Sequence, residues 1–250
     1  MLSDVSAQPS LFDPDRFRMQ AEPRTLIEGA YRKLRRDIIE CRYAPGDRLR
    51  VEHLKTTYQV SGGTLREALS LLVSDSLVVS EGQRGFRVAP MSLADIEDLT
   101  RTRVLLECAS LRESMRLGKD DWEGTVVSAF HRLSRAEERL VSASTFDDWE
   151  ECNRQFHDAL VSACPSPWMH RFRAVLYHQS ERYRRLSAMT GPPAGRVHQE
   201  HRGIFKAVMA RDVERASAAL ESHICLSLKL IRSLGLLDQP VAERSAAGAR

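Results

Sequence analysis

Apolar residues in the first third of the chain recur every three or four positions, in blocks separated by turns. This spacing places them on one face of an α-helix. The first block contributes six such residues: Ile27, Ala30, Tyr31, Leu34, Ile38 and Ile39. Pro45 and Gly46 then predict a turn that ends this first helix. A short second helix is predicted over 51–58. A third helix is predicted within the stretch that starts at position 61, SGGTLREALSLLVS.

A hairpin is predicted directly after the third helix. Residues 77–79 (LVV) and 86–88 (FRV) are short runs typical of strands, and EGQRG lies between them. Gly82 and Gly85 permit the positive φ angles that a tight turn requires. Three helices followed by a hairpin form the pattern of a winged helix-turn-helix, which we predict over residues 23–90.

Beyond residue 90 the pattern predicts helices alone. Six are expected, over 92–117, 120–141, 144–164, 167–188, 196–210 and 212–235. Ser92 and Asp95 form a capping box at the first of them, because the serine hydroxyl can accept from the Asp95 amide while the carboxylate reaches back. The predicted fold class is therefore mainly α, with an all-α helical bundle over residues 91–237.

Composition adds limits to this outline. Apolar residues make up 42% of the chain and charged residues 28%, as in ordinary globular proteins. No apolar stretch approaches the roughly 20 residues of a membrane span, and the first residues lack a signal-peptide core, so we expect a cytoplasmic protein without membrane contact. Five cysteines without a CxxC spacing favour reduced thiols. Residues 1–22 and 238–250 lack periodicity and are expected to be a flexible arm and a flexible tail.

The third helix has the features of a DNA recognition helix, whose N-terminal end enters the major groove. Ser61 is a good N-cap, and Gly62 and Gly63 remove bulk where the backbone can approach a phosphate. Thr64 and Arg66 then project outward, and the arginine can reach a guanine edge or a phosphate. The alternative for this arginine is a surface ion pair with one of two acidic neighbours, Glu67 or Glu52.

Basic residues elsewhere in the first third favour a polyanionic partner. Between Arg24 and Pro90, twelve Lys and Arg stand against eight Asp and Glu, so this segment carries +4 while the whole chain carries +3. A solvated basic face is the alternative, and at the turn Arg84 can contact DNA or simply face solvent. The residues predicted to contact double-stranded operator DNA are Arg35, Arg48, Arg50, Ser61, Gly62, Gly63, Thr64, Arg66, Gln83, Arg84 and Gly85.

Histidines in the helical part of the chain are spaced for metal binding. Asn153 and His157 are four residues apart and share a helical face, and His201 and His223 lie on the last two predicted helices. Antiparallel packing can bring the four side chains together as ligands of Zn or a similar divalent metal, with positions left open for an anionic carboxylate. Chance placement among eight histidines is the alternative, and His198 is a rival ligand.

The stretch LRRDIIECRYAPGDRLRVEHLKTTYQVSGGTLREALSLLVSDSLVV, followed by GFRV, resembles the GntR family of bacterial transcription regulators. That family shows a helix, a PG turn, a short helix, a VSRTPVREAL motif and a wing ending in GxxV. The resemblance covers residues 26–90 and implies a DNA-binding regulator. The family usually has arginine where Gly62 stands and often proline where Thr64 stands, so reading of the bases is expected to shift to Thr64 and Arg66.

Residues 93–234 resemble the FCD ligand-binding domain of the FadR-type subgroup, with RxxxE on the first helix, DxxxFH on a middle helix and two later histidines. The matching positions here are Arg103, Glu107, Asn153, His157, His201 and His223. The resemblance implies a helical bundle in which a metal grips a carboxylate effector and Arg103 holds its far end. A pair between Arg103 and Glu107, one helical turn apart, is the alternative. Asn153 replaces the commoner aspartate, and an amide oxygen binds cations more weakly.

Within this subgroup, GGTLREALSLLVSDSLV, GFRVAPMS and DDWE are most similar to the carbon-starvation-induced regulators. The similarity implies repression of genes for breakdown of γ-aminobutyrate, glutarate or 2-hydroxyglutarate, and a five-carbon dicarboxylate as effector. Arg184, with Arg182 and Tyr183, either contributes to the effector pocket or lies at the surface.

Two classes of function follow. The first is a ligand-responsive repressor that acts as a homodimer, since a two-fold operator needs two recognition helices. The second is a metal-dependent hydrolase that uses the three histidines. The sequence contains no HExxH, no GxSxG and no phosphate-binding glycine loop, and Glu200 is expected to point away from the ligands. We therefore favour the regulator and assign no catalytic residues.

Overall fold

The computed structural model describes residues 23–139, 145–188 and 194–237. The chain divides into two compact units after Pro90. The arm and the tail expected at residues 1–22 and 238–250 lie outside the described residues.

The first unit contains three helices around one apolar core. They are α1 (Leu26–Ile39), α2 (Val51–Tyr58) and α3 (Gly62–Ser74). Both α1 and α2 pack on α3, and the core side chains Leu34, Leu65 and Leu69 are fully buried. The apolar face predicted for the first helix is the face that meets this core.

A three-stranded antiparallel sheet completes the first unit. Its strands are β1 (Arg48–Leu49), β2 (Val78–Ser80) and β3 (Phe86–Val88), in the order β1-β3-β2. The hairpin of β2 and β3 was predicted, although its first strand was placed one residue too early. Strand β1 was not predicted. Gly82 and Gly85 do adopt positive φ angles, of 59° and 90°. The winged helix-turn-helix is therefore present.

The second unit is all helical. Its helices are α4 (Leu93–Leu117), α5 (Asp120–Glu138), α6 (Phe146–Val161), α7 (Pro167–Ala188), α8 (Ala194–Met209), α9 (Val213–Ile224) and α10 (Leu226–Ser233). The prediction of a single helix over 212–235 is wrong, because the helix is interrupted at Cys225. Before the break Ile224 joins the main core, and after it Ile231 joins a smaller apolar cluster. No helix in the described ranges combines the length and apolar character of a membrane span.

Helix α4 holds the second unit together, since it packs on α6, α7, α9 and α10. The Ser92 hydroxyl accepts from the Asp95 amide at 3.1 Å, as predicted. The Asp95 carboxylate instead accepts from the Tyr183 hydroxyl at 2.5 Å, which ties the start of α4 to α7. Farther along α4, the polar side chains of Arg103 and Glu107 are buried rather than exposed.

Gly118, which ends α4, has no room for a side chain. A Cβ there would lie 2.5 Å from carbons of the buried Trp122 ring and 2.7 Å from the Ser114 carbonyl oxygen. The indole cannot easily retreat, because it donates a 2.9 Å hydrogen bond to the Ala159 carbonyl. We expect Gly118→Ala to lower the free energy of unfolding by about 1–3 kcal/mol in chemical denaturation.

Gly124 provides the matched control for this substitution. It lies inside α5, and a Cβ there would meet nothing within 4 Å. Gly124→Ala should raise the free energy of unfolding by about 0.5–1 kcal/mol, because alanine restricts the unfolded chain and favours the helix. Equal effects of the two substitutions would contradict this account of Gly118.

Candidate functional sites

The N-terminal end of α3 is an exposed, uncovered surface. The Ser61 hydroxyl caps the helix by accepting from the Thr64 amide at 3.1 Å. A Cβ at Gly62 would lie 3.4 Å from Nη1 of Arg66, so glycine leaves the guanidinium uncovered. Gly63 is exposed as well. These features suit a helix end that approaches a phosphate backbone.

Four arginines line one cleft between this helix end and the wing. The cleft has a volume of about 460 Å³, and its arginines are Arg48, Arg50, Arg66 and Arg84. Among the described residues that line it, none is acidic. Gln83 and Arg84 are exposed, and Gly85 is half-buried. The cleft therefore concentrates positive charge where a winged helix-turn-helix meets DNA.

In the described part of the chain, these arginines make no direct contact with acidic side chains. Within the described residues none of the four forms an ion pair, and Glu52, the alternative partner of Arg66, instead pairs with Lys55 at 3.1 Å. Glu81 beside the wing pairs with Arg87, which holds the pKa of its carboxyl below the usual value. Unpaired surface cations are what a phosphate partner requires.

Arg35 does not belong to this surface. Its side chain is only 4% exposed and lies on the buried face of α1. The sequence predicted a DNA contact because Arg35 is one of the basic residues that outnumber acids over residues 24–90. Neighbouring helical residues point in different directions, and Arg36 is the exposed one.

Three histidines from three helices of the second unit converge on one point. Nε2 of His223 lies 3.3 Å from Nε2 of His157 and 3.2 Å from Nε2 of His201. His157 and His201 are buried, and one nitrogen of each of the three lies within 4.8 Å of the others. His198 is not part of this group, although its Nδ1 bonds Glu137 at 2.7 Å.

The outer nitrogens of the histidines face carboxylates. Nδ1 of His201 donates to Glu137 at 2.6 Å, and Nδ1 of His223 donates to Glu200 at 3.1 Å. Nδ1 of His157 lies 3.7 Å from Glu107, beyond hydrogen-bond distance. The expectation that Glu200 points away was wrong. Glu137 was missed altogether, because it comes from α5 and no spacing in the sequence links it to the histidines.

Charge and tautomer follow from these contacts. Burial alone would raise the pKa of Glu137, but hydrogen bonds from His201 and His198 hold it below the usual value. The pKa of Glu200 is lowered in the same way, because its hydrogen bond with His223 outweighs the effect of burial. Ionised carboxylates only accept, so Nδ1 of His201 and of His223 carries the proton. Burial and neighbouring imidazoles lower the pKa of His157 well below its usual value and that of His223 to about 4, so both rings are neutral.

This arrangement fits a metal ion. When Nδ1 holds the proton, Nε2 presents a lone pair, and the lone pairs of His201 and His223 then face each other at 3.2 Å. A cation between them converts that repulsion into coordination. Asn153 offers an oxygen atom as a further metal ligand. Its Nδ2 donates to the Tyr177 hydroxyl at 2.7 Å, and its buried Oδ1 has no hydrogen-bond partner in the described part of the chain.

Buried ion pairs border the histidines. Arg103 pairs with Glu107 at 2.7 Å, which is the alternative that the sequence offered to effector binding. It also donates to Ser180 at 3.0 Å. Arg184 pairs with Glu150, and its guanidinium carbon lies 4.3 Å from the centre of the Tyr177 ring. The guanidinium of Arg103 lies 5.2 Å from the same ring.

The two residues before Arg184 are buried. The side chains of Arg182 and Tyr183 are 4% and 2% exposed, so neither lies at the surface. The hydroxyl of Tyr183 bonds Asp95, so this tyrosine fixes the start of α4.

Two family models match the chain. The model described as bacterial regulatory proteins, gntR family, matches residues 26–88, and the FCD domain model matches residues 98–225. The first range contains the arginine-lined cleft, and the second contains the three histidines with their carboxylates.

Two curated proteins are similar over most of the chain. The HTH-type transcriptional regulator BphR of Paraburkholderia xenovorans LB400 is 51% identical, over 87% of this chain and 89% of its own length. The HTH-type transcriptional repressor GlaR of Escherichia coli K12 is 33% identical, over 83% of this chain and 96% of its own.

Solved structures show the same fold at lower identity. A GntR-type transcriptional regulator from Rhodococcus sp. RHA1 is 23% identical, with a TM-score of 0.66 over 82% of this chain and 97% of its own. McbR/YncC of E. coli is 18% identical, with a TM-score of 0.68 over 84% and 98%.

The Arg184–Glu150 pair lies almost out of solvent, with side chains 11% and 9% exposed. Glu150→Gln would remove the carboxylate that pairs directly with this buried guanidinium. We expect it to lower the free energy of unfolding by about 3–5 kcal/mol, measured by chemical denaturation.

The control is Asp147→Asn, which removes the partner of Arg185 where the carboxylate is 60% exposed. That loss should be about 0–1 kcal/mol. If the two variants were equally stable, burial of the Arg184–Glu150 pair would carry no energetic weight.

Proposed function

Because this chain belongs to the gntR family of bacterial regulatory proteins and carries an FCD domain, we propose that it is a homodimeric repressor that leaves its operator when a small dicarboxylate binds a metal ion in the FCD domain. Residues 23–90 are the DNA-binding domain in this proposal, and residues 91–237 are the effector-binding and dimerisation domain.

The general class of function needs no proposal. The chain is a DNA-binding transcription regulator and not an enzyme. The gntR-family model describes bacterial regulatory proteins, an FCD domain follows it, and both curated relatives are transcription regulators. This removes the hydrolase hypothesis. The gntR-type domain implies operator DNA as a partner, and the FCD domain implies a small-molecule effector.

The proposed DNA contacts are the helix end and the wing. Arg66 reads a base edge or holds a phosphate, and Arg48, Arg50 and Arg84 hold phosphates on either side. The support for these roles is the cleft that the four arginines share, together with their freedom from ion pairs in the described residues. Ser61, Gly62, Gly63, Thr64, Gln83 and Gly85 supply close backbone or polar contacts around them.

The observation that carries the effector half of the proposal is the convergence of three imidazoles whose outer nitrogens face carboxylates. In the proposal His157, His201, His223 and Asn153 hold a divalent ion such as Zn²⁺. Such an ion supplies an open coordination position for a carboxylate. Glu137 and Glu200 hold their histidines in the binding tautomer, and Arg103 and Arg184 offer positive charge to the acid.

Repression and dimerisation rest on two further supports. The relative GlaR is named a repressor. A dimer places two recognition helices on a two-fold operator. Effector binding then shifts the population of dimers away from the DNA-binding geometry, by as much as its affinity differs between the two states. The resemblance of the sequence to regulators of five-carbon diacid breakdown favours glutarate or 2-hydroxyglutarate.

Substitution in the cleft should weaken DNA binding. In shift assays with the DNA upstream of its gene, Arg66→Ala is expected to weaken binding about tenfold or more, by loss of a base or phosphate contact. Arg84→Ala should reduce the slope of log affinity against log salt by about one, as one phosphate contact is lost.

Arg42→Ala is the matched control. This arginine is 66% exposed but pairs with Asp37 and Glu40 and does not line the cleft. Its removal should leave both affinity and salt slope unchanged. Binding that is equally weak in the Arg42 and Arg66 variants would refute the proposed recognition helix.

Metal should be required for the response to effector. We expect chelator-treated protein reloaded with Zn²⁺ to hold about one ion per chain by elemental analysis, as a dimer in native mass spectrometry. Glutarate should release the operator only from the loaded form. His201→Ala should lose the ion, whereas His131→Ala, at an exposed position on α5, should keep it. Full Zn²⁺ content in the His201 variant would exclude the proposed ligand set.

A further inference from the structure

Arg173 is a buried cation for which the proposed function has so far given no role. Its side chain is only 3% exposed. Its Nη2 pairs with Asp158. Its Nε and Nη1 are buried and have no hydrogen-bond partner in the described residues. Leaving donors of a charged group unpaired in a protein interior is costly, so a partner is expected to satisfy them.

The neighbouring acids do not neutralise Arg173 in full. Asp158 is 44% exposed and is shared, because it also accepts from Arg154 at 2.6 Å. Glu107, a buried acid near this cluster, is paired with Arg103. The guanidinium of Arg173 therefore keeps positive charge available to a ligand.

Helix geometry places Arg173 beside the metal site. Arg173, Tyr177, Ser180 and Arg184 follow one another on α7 at steps of four, three and four, which puts them on one helical face. The Tyr177 ring centre lies 5.9 Å from the Arg173 guanidinium and 5.8 Å from the His157 ring centre. The tyrosine hydroxyl also bonds Asn153.

The charges of the ligand set favour a dianion. Imidazole and amide groups bind a metal ion as neutral ligands, so a divalent ion held by them keeps its own charge. A dicarboxylate can place one carboxylate on the ion and the other at one of the two unpaired N–H groups of Arg173. Nε and Nη1 point to different sides of the guanidinium, so one carboxylate bonds only one of them. A monocarboxylate held by the ion would leave both unpaired.

We propose that Arg173 is the specificity-determining residue of the effector site, which binds the second carboxylate and so selects dicarboxylates over monocarboxylates of equal length. This inference rests on the proposed function, since it assumes that a metal-bound carboxylate is the effector.

The test compares glutarate with pentanoate, which have five carbons each and differ by one carboxylate. Isothermal titration of the Zn²⁺-loaded full chain should give an affinity for glutarate about 10- to 100-fold higher, as expected for a charged hydrogen-bonded contact. Arg173→Met should abolish this preference by weakening glutarate alone. Its metal content and its operator binding without effector should match those of the unmodified protein.

Arg154→Met is the matched control, because it removes the other arginine on Asp158 and should leave the preference intact. Arg173→Gln, which keeps a polar side chain but carries no charge, serves if the methionine variant does not fold. A preference that survives in the Arg173 variants, or is absent from the unmodified protein, overturns the role of Arg173 and leaves the proposed function standing. If the Zn²⁺-loaded protein binds neither acid, the proposed function itself fails.

Discussion

The candidate metal site of the second unit depends on the close approach of three buried or partly buried imidazole rings. Glu137 and Glu200 accept the Nδ1 protons of His201 and His223, so both inner nitrogens are left with lone pairs 3.2 Å apart. Packing drives the rings together, while their electrons repel. A bound cation would resolve this conflict. The site is therefore built by the carboxylates behind the histidines as much as by the histidines themselves.

Arginine has opposite uses in the two units, and burial decides which. In the first unit Arg66 and its neighbours in the cleft are left without ion pairs among the described residues, so they are available to a polyanion. In the second unit Arg103 and Arg184 are buried, and each is matched by a glutamate. Arg173 stands between these cases, because it is buried but only partly matched.

The sequence predicted regular structure well and long-range contacts poorly. Helices α1 to α3 and the wing followed from apolar spacing and turn residues, which are local signals. The break at Cys225 did not, because the apolar pattern continues through it: Leu226 still joins the main core, and only Ile231 turns to the smaller cluster. Strand β1, two residues long, exists only because β3 is there to pair with it.

The sequence by itself determined the class of protein, the ends of most helices and the candidate histidines, because helix periodicity, caps and motifs involve residues close in the chain. Only the tertiary structure decided that His201 and not His198 joins the group, that Arg35 is buried, and that Glu137 meets a histidine 64 residues away. Which side chains meet across such separations depends on how helices pack, and spacing along one helix carries no record of its neighbours.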